Sequence, residues 1–212
     1  EVPYVLHMLR DNTFDQIYHE HLSYFSLYNL EKLCQQNSML IFNAEEIDTH
    51  GGSLRVHIKK EQNNQHRVSE KVRGLLENEY EMGLRESTAY YDFADQTSFL
   101  QNTLSQMIRE QHEAGLKIIG YGAPAKATTL LNTCGITYPQ IDYIIDTNPA
   151  KQGRQLPGTG IPILPPETLQ QDPPDIVLIL AWNYADYILD CESELRRKGV
   201  KFIIPFPQPR LV

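Results

Sequence analysis

The stretch DQIYHEHLSYFS, residues 15–26, gathers Tyr18, His19, Glu20, His21 and Tyr24 within seven positions. Three kinds of chemistry draw on such a set. Two histidines at i and i+2 can ligate one metal, with His50 or Glu20 as a further donor. Imidazoles can instead be satisfied structurally, inside a polar core. In the third reading a histidine moves a proton, since imidazole is the side chain best matched to proton transfer at neutral pH and a neighbouring carboxylate can orient it. Tyrosine hydroxyls would then steady a developing oxyanion. In an extended segment Tyr18 and Glu20 face one side, and His19 and His21 the other. The set suits removal of a proton next to a carbonyl.

A second group lies a hundred residues on. In KIIGYGAPAKATTLL, Gly120, Gly122 and Ala125 fit the pattern G-x-G-x-x-A between an apolar run and a helical one. That spacing makes a tight turn at which backbone amides and a helix N-terminus face an anion. Asp146 follows the next apolar run, 26 residues after Gly120, where a dinucleotide fold holds its ribose-binding acid. Pro124 and Lys126 add a fixed bend and a cation, which suits phosphate capture and departs from the usual dinucleotide pattern. Three uses stay open for the turn: NAD(P), another phosphate-bearing ligand, or close packing of strand on helix. Asp146 could equally cap its own DTNPAKQG loop. Asn183, between Trp182 and Tyr184, follows the run DIVLILA and belongs to the same rim, while Lys151 and Arg154 add charge there or lie in a solvated loop.

The elements that position these groups follow from hydrophobic periodicity. LKIIGYG, IDYIID, DIVLILAW and VKFIIPF are short, almost wholly apolar runs separated by helix-like segments. Strands buried on both faces read this way, so residues 116–212 are expected to form an α/β, Rossmann-like domain around a parallel sheet. TGIPILPPETLQQDPPD reads as a loop with one helix start. MLIFNAEEI and SLRVHIKK alternate as half-buried strands, joined through Gly51-Gly52 as a tight turn or a point of close backbone approach. Ser26 caps a helix whose apolar face carries Leu27, Leu30, Leu33 and Cys34. Residues 61–115 read as a connector with two helices, the second closed by Gly115. VPYVLHMLR is a short amphipathic helix without an evident partner.

Composition narrows the function classes. With 41% hydrophobic residues the chain builds real cores, and a net charge of −8 with mixed signs argues against a nucleic-acid partner. No apolar run approaches the ~18 residues of a membrane span, and no secretory leader pattern is present, so a cytoplasmic location is expected. Cys34, Cys134 and Cys191 are too few and too scattered for a disulfide framework or a zinc ribbon. A first residue other than Met suggests a piece of a longer protein.

FDQIYHEHLSYFS, THGGSLRVHI, GYGAPAKATTLLN, IDYIIDTNPAKQGRQLPGTGIPI and VLILAWNY, in this order, resemble the C-terminal half of the S-adenosylmethionine-dependent sugar C-methyltransferases. Those enzymes methylate carbon 3 of a dTDP-4-keto-deoxysugar. The resemblance implies a zinc-binding N-terminal module, a methyltransferase domain and a Rossmann-like C-terminal domain, with the sugar nucleotide between the last two. On that template residues 1–60 are the closing helix and strands of the methyltransferase domain, 61–115 a helical connector, and 116–212 the sugar-nucleotide domain. The loop for S-adenosylmethionine and the zinc cysteines would lie in an absent N-terminal part, leaving this chain inactive alone. The resemblance further implies His21 as the base, Glu20 as its neighbour and Tyr18 as a hydroxyl contact. It places His50, Gly51 and Ser53 at the border of the site, and the turn Gly120, Tyr121, Gly122 to Lys126 near the nucleotide with Asn183. An NAD(P)-binding oxidoreductase or regulatory module is the alternative.

Overall fold

The computed structural model describes residues 1–212, apart from the side chain of His50. The chain forms two compact units. The first comprises Glu1–Thr13 and His19–Gln96, the second Phe14–Tyr18 and Thr97–Val212.

In the first unit, strands β1 (Val2–Pro3), β2 (Met39–Ile47) and β3 (Ser53–Lys60) form an antiparallel sheet in the order β1-β3-β2. Strands β2 and β3 pair from Ile47 opposite Ser53 to Met39 opposite Lys60, with a register shift between Ile41 and Asn43. Helices α1 (Val5–Arg10), α2 (Leu27–Gln36) and α3 (Glu70–Glu81) pack with them around Leu6, Leu27, Leu30, Leu54 and Val72. The N-terminal amphipathic piece thus has its partner here: Val2–Pro3 pair as a strand and Val5, Leu6, Met8 and Leu9 are buried.

The first turn of α2 has every amide accounted for. Ser26 Oγ accepts from Asn29 N–H at 3.1 Å, as the sequence predicts. Glu79 of α3, fully buried, accepts from Leu27 N–H and, at 2.9 Å, from Tyr28 N–H. A carboxylate at this end also complements the helix dipole. Burial, then the charge of Glu79, push the Tyr4 hydroxyl pKa well above the ordinary tyrosine range.

The Gly51-Gly52 pair is both a turn and a close approach. Thr49–Gly51 form a 3-10 turn, and Gly52 has φ 117°, where a Cβ would lie 2.1 Å from His7 Nδ1. His7 is buried, with Nε2 3.1 Å from Glu46 Oε2.

The second unit is a mixed α/β fold on a mostly parallel six-stranded sheet. Helix α4 (Ser87–Glu113), which contributes from Thr97, ends as expected at Gly115, whose φ is 79° and beyond which Leu116 N–H donates to Gln111 O. Then come β4 (Ile118–Tyr121), α5 (Ala125–Thr133), β5 (Tyr143–Ile145), β6 (Ile163–Leu164), α6 (Thr168–Gln171), β7 (Ile176–Ile179), α7 (Ala185–Cys191), α8 (Ser193–Arg197), β8 (Lys201–Ile204) and β9 (Arg210–Leu211). Strand order is β6-β5-β4-β7-β8-β9, with only β9 antiparallel. The four apolar runs are β4, β5, β7 and β8, and Ile118, Ile119, Ile144, Val177, Leu178 and Ile203 are wholly buried. Strands β6 and β9 add short edges in segments that carry no strand period.

Candidate functional site

From β4 the chain first builds β5 and β6 on one side, then crosses back to place β7 on the other. The carboxyl ends of β4 and β7 therefore mark a topological switch point, the place where open α/β sheets take ligands. A cavity of about 310 Å³ opens there, lined among others by Tyr121, Gly122, Asp146, Lys151, Tyr184 and Tyr187. Gly122 lines it, and both Gly120 and Gly122 are required by packing. A Cβ at 120 would meet Ile144 Cγ1 and Leu180 Cδ1 at 2.8 Å, and Gly122, with φ 82°, lies where a Cβ would be 2.9 Å from that of Ala181.

Asp146 ties the turn to the loop after β5. Its Oδ2 accepts from Ala123 N–H at 2.7 Å and lies 3.4 Å from Lys151 Nζ, while Oδ1 accepts from Asn148 N–H at 2.8 Å. Lys151 Nζ donates to Ala123 O at 2.7 Å, which closes the ring of contacts. Both oxygens are thus engaged with protein, so an incoming ribose would have to compete for them. Tyr121 Oη donates to Glu192 Oε1 at 2.9 Å, and burial followed by that carboxylate push its pKa upward. Aromatic walls and glycine backbone make the cavity suited to a flat ring.

Lys126 and Asn183 meet in a neighbouring cluster. Lys126 Nζ donates to Asn183 Oδ1 at 2.7 Å and lies 3.7 Å from the centroid of the Trp182 ring. Trp182 Nε1 donates in turn to Asp15 Oδ2 at 2.6 Å. Sequence reasoning missed Asp15; the available signal was an acid set between Phe14 and Ile17 directly before the histidine-rich stretch. Burial raises the Asp15 carboxyl to about 7 against the pull of Lys126 and the Trp182 N–H, and lowers Lys126 to about 8 against the pull of Asp15.

The sign of the Asp15 effect is fixed by linkage. Between its ordinary value of 3.8 and about 7 the unfolded chain has lost a proton that the folded chain keeps, so the stability this group contributes falls as pH rises through that window. Asp15→Asn should therefore gain thermal stability over the native chain from pH 4 to pH 7 and keep a constant lead above. Melting curves of both proteins at four pH values check this, and a lead independent of pH would contradict it.

The remaining expected site residues divide between the units. Tyr18, half-buried, belongs to the second unit, where its N–H donates to Gln16 O at 3.1 Å. Glu20 and His21 belong to the first; Glu20 is exposed, and the half-buried His21 ring stands edge-on to Tyr24 with centroids 6.3 Å apart. Gly51 lies in the β2–β3 turn, and buried Ser53 donates from Oγ to Thr49 O at 3.0 Å. The His50 side chain lies outside the described residues. Among the described residues no three His, Cys, Asp or Glu side chains converge to hold a metal, and no helix is long and apolar enough to cross a membrane.

Residues 48–207 match the family described as C-methyltransferase C-terminal domain, and the chain belongs to that family. Along all 212 residues it is similar to the C-methyltransferase NovU of Streptomyces niveus, at 39% identity. The chain spans 50% of the length of that curated relative.

Proposed function

We propose that this chain is the C-terminal half of an S-adenosylmethionine-dependent C-methyltransferase acting on carbon 3 of a dTDP-linked 4-keto-deoxysugar in the cytoplasm. The observation that carries the proposal is the likeness to a C-methyltransferase along every part of the chain, with the histidine-rich stretch included. The rim of the parallel sheet supports it, since its aromatic-lined cavity suits a flat base. His21 would take the carbon 3 proton, made acidic by the adjacent ketone. Tyr18 would donate a hydrogen bond to the enolate oxygen, and Glu20 would orient the base or a sugar hydroxyl. His50, Gly51 and Ser53 would border the sugar, while Gly120, Tyr121, Gly122, Lys126 and Asn183 would form the nucleotide side.

S-adenosylmethionine supplies an electrophilic methyl group to the enolate. Asp146 is engaged by Ala123, Asn148 and Lys151, and we assign the donor to no residue of this chain. Zinc is likewise assigned to none: Cys34 and Cys134 are buried and Cys191 is exposed, without a cluster among the described residues. The same commitment of Asp146 weighs against the NAD(P) module, which the G-x-G-x-x-A spacing favours.

Calorimetric titration of the 212-residue chain with dTDP and, separately, NAD tests the reading. Binding of dTDP alone is the expected result. Binding of NAD alone would overturn the sugar-nucleotide assignment, and heat from neither ligand would remove the nucleotide from this chain.

A further inference from the structure

Asp15 is an ionisable group in surroundings built for apolar ones. Its residue is 0% exposed and Oδ2 accepts from the indole of Trp182, while the backbone amides of Asp15 and Gln16 lie close enough to favour the charge without making a hydrogen bond of good geometry to Oδ1. The aromatic rings around it interlock: Phe14 stands edge-on to Phe206 at 5.7 Å, and Trp182 lies 5.1 Å from the same ring. Phe14 alone could anchor the segment by packing. A buried carboxyl with one oxygen unmatched is an expensive addition to such an anchor.

The geometry around it is that of a tie. On one side, Phe14–Gln16 form a 3-10 turn in which Ile17 N–H donates to Phe14 O at 2.9 Å and Tyr18 N–H to Gln16 O at 3.1 Å. Only Gln16 and Ile17 separate Asp15 from Tyr18, and the turn leaves little freedom between them. On the other side, Trp182 follows β7 and carries the Lys126 ammonium on its ring, while Lys126 is held by Asn183. The contact thus joins the turn to both the start of α5 and the end of β7.

We propose that Asp15 is a positioning residue: through Trp182 and Lys126 it holds the Phe14–Tyr18 turn on the carboxyl rim of the parallel sheet and so places the Tyr18 hydroxyl for its contact with substrate. The inference rests on the role given to Tyr18 under the proposed function, but its test does not need substrate. The titratable groups facing Asp15 are Lys126 at the start of α5 and Cys134 at its end, whose thiol is pushed up to about 12 chiefly by burial. Trp182, Asn183 and Phe206 from the other elements do not ionise. Trp182 should therefore sense two events in sequence, ionisation of Asp15 near pH 7 and loss of the Lys126 proton near pH 8, and only the first depends directly on the residue at position 15.

Trp182 is the single tryptophan of the chain, so its emission reports on this cluster, in which it touches both Asp15 and Lys126. In the native 212-residue chain the emission maximum should shift with a midpoint near pH 7, as the indole's acceptor passes from carboxyl to carboxylate. Asp15→Asn keeps an acceptor oxygen and should abolish that shift while leaving amide hydrogen exchange at Ile17 and Tyr18 within about threefold of native. Asp15→Leu keeps the packing volume and removes the acceptor, and exchange at those two amides should rise at least tenfold. A Leu variant as well protected as the native chain would show that packing alone holds the turn and would overturn the proposal. Should the Leu variant fail to fold by circular dichroism, Trp182→Phe removes the donor instead, and native-like exchange there is equally fatal. Failure of nucleotide binding with a protected turn would strike the proposed function and leave this tie standing.

Discussion

Replacing His21 with alanine should reduce methyl transfer by about a thousandfold in the full-length protein, within the range contributed by general acid–base groups. The proposal gives His21 the first chemical step, in which the proton leaves carbon 3 and its electron pair passes toward the ketone oxygen. Deuterium washout from carbon 3 should therefore stop together with methylation. A base acts chiefly in the transition state, so kcat should fall while substrate affinity stays nearly unchanged. Measuring washout and turnover in the same samples separates proton removal from later steps. Near-native washout in the variant would remove His21 from the mechanism, and loss of both with a greatly weakened affinity would make it a binding residue.

Glu79→Ala should destabilise the first unit by about 3 kcal/mol, because it strips one buried and one half-buried backbone amide of their only charged acceptor. Leu27 and Tyr28 N–H both point at this carboxylate, and Ser26 already serves Asn29, so no other side chain of the cap is available to them. Glu79→Gln is the informative control. One amide oxygen can still accept, but the NH₂ group must then face the second backbone N–H, and the loss should fall between native and alanine. Urea denaturation followed by far-ultraviolet circular dichroism gives the comparison; a midpoint unchanged in Glu79→Ala would mean that solvent replaces the carboxylate at α2.

Much of the fold could be read locally. The four apolar runs announce the parallel sheet, the Ser26 cap and Gly115 mark two helix ends, and the alternation around Gly51-Gly52 gives the strand pair, though not the register shift between Ile41 and Asn43. Each of these signals lies within a few residues of the structure it specifies. Strands β6 and β9 escaped because two residues carry no period, and pairing on a sheet edge requires only accessible backbone. The partners that organise the interior are farther apart in sequence. Glu79 serves an amide 52 residues away, Asp15 meets Trp182 across 167 residues, and His7 fills the space that Gly52 leaves. Periodicity does not express such pairings. The rim illustrates the same limit on a smaller scale: Lys126 and Asn183 were legible as candidates by type and place, yet not that the lysine's long side chain turns to the asparagine and the indole.

Five residues, Phe14–Tyr18, belong to the second unit although the chain on both sides of them belongs to the first. No single cut can therefore separate the two units intact. A clone beginning at Thr97 would carry the whole parallel sheet and yet lack the acceptor of its own tryptophan, and the family match, which starts at residue 48, also leaves that segment outside. Exchange of the sheet-bearing portion between related enzymes would face the same difficulty: a transplanted Trp182 and Lys126 need a compatible residue at position 15 of the recipient. Modularity in this chain is thus a property of pairs of segments, and recombination that treats it as a string of domains should yield folded but poorly ordered hybrids unless the short upstream turn travels with the sheet.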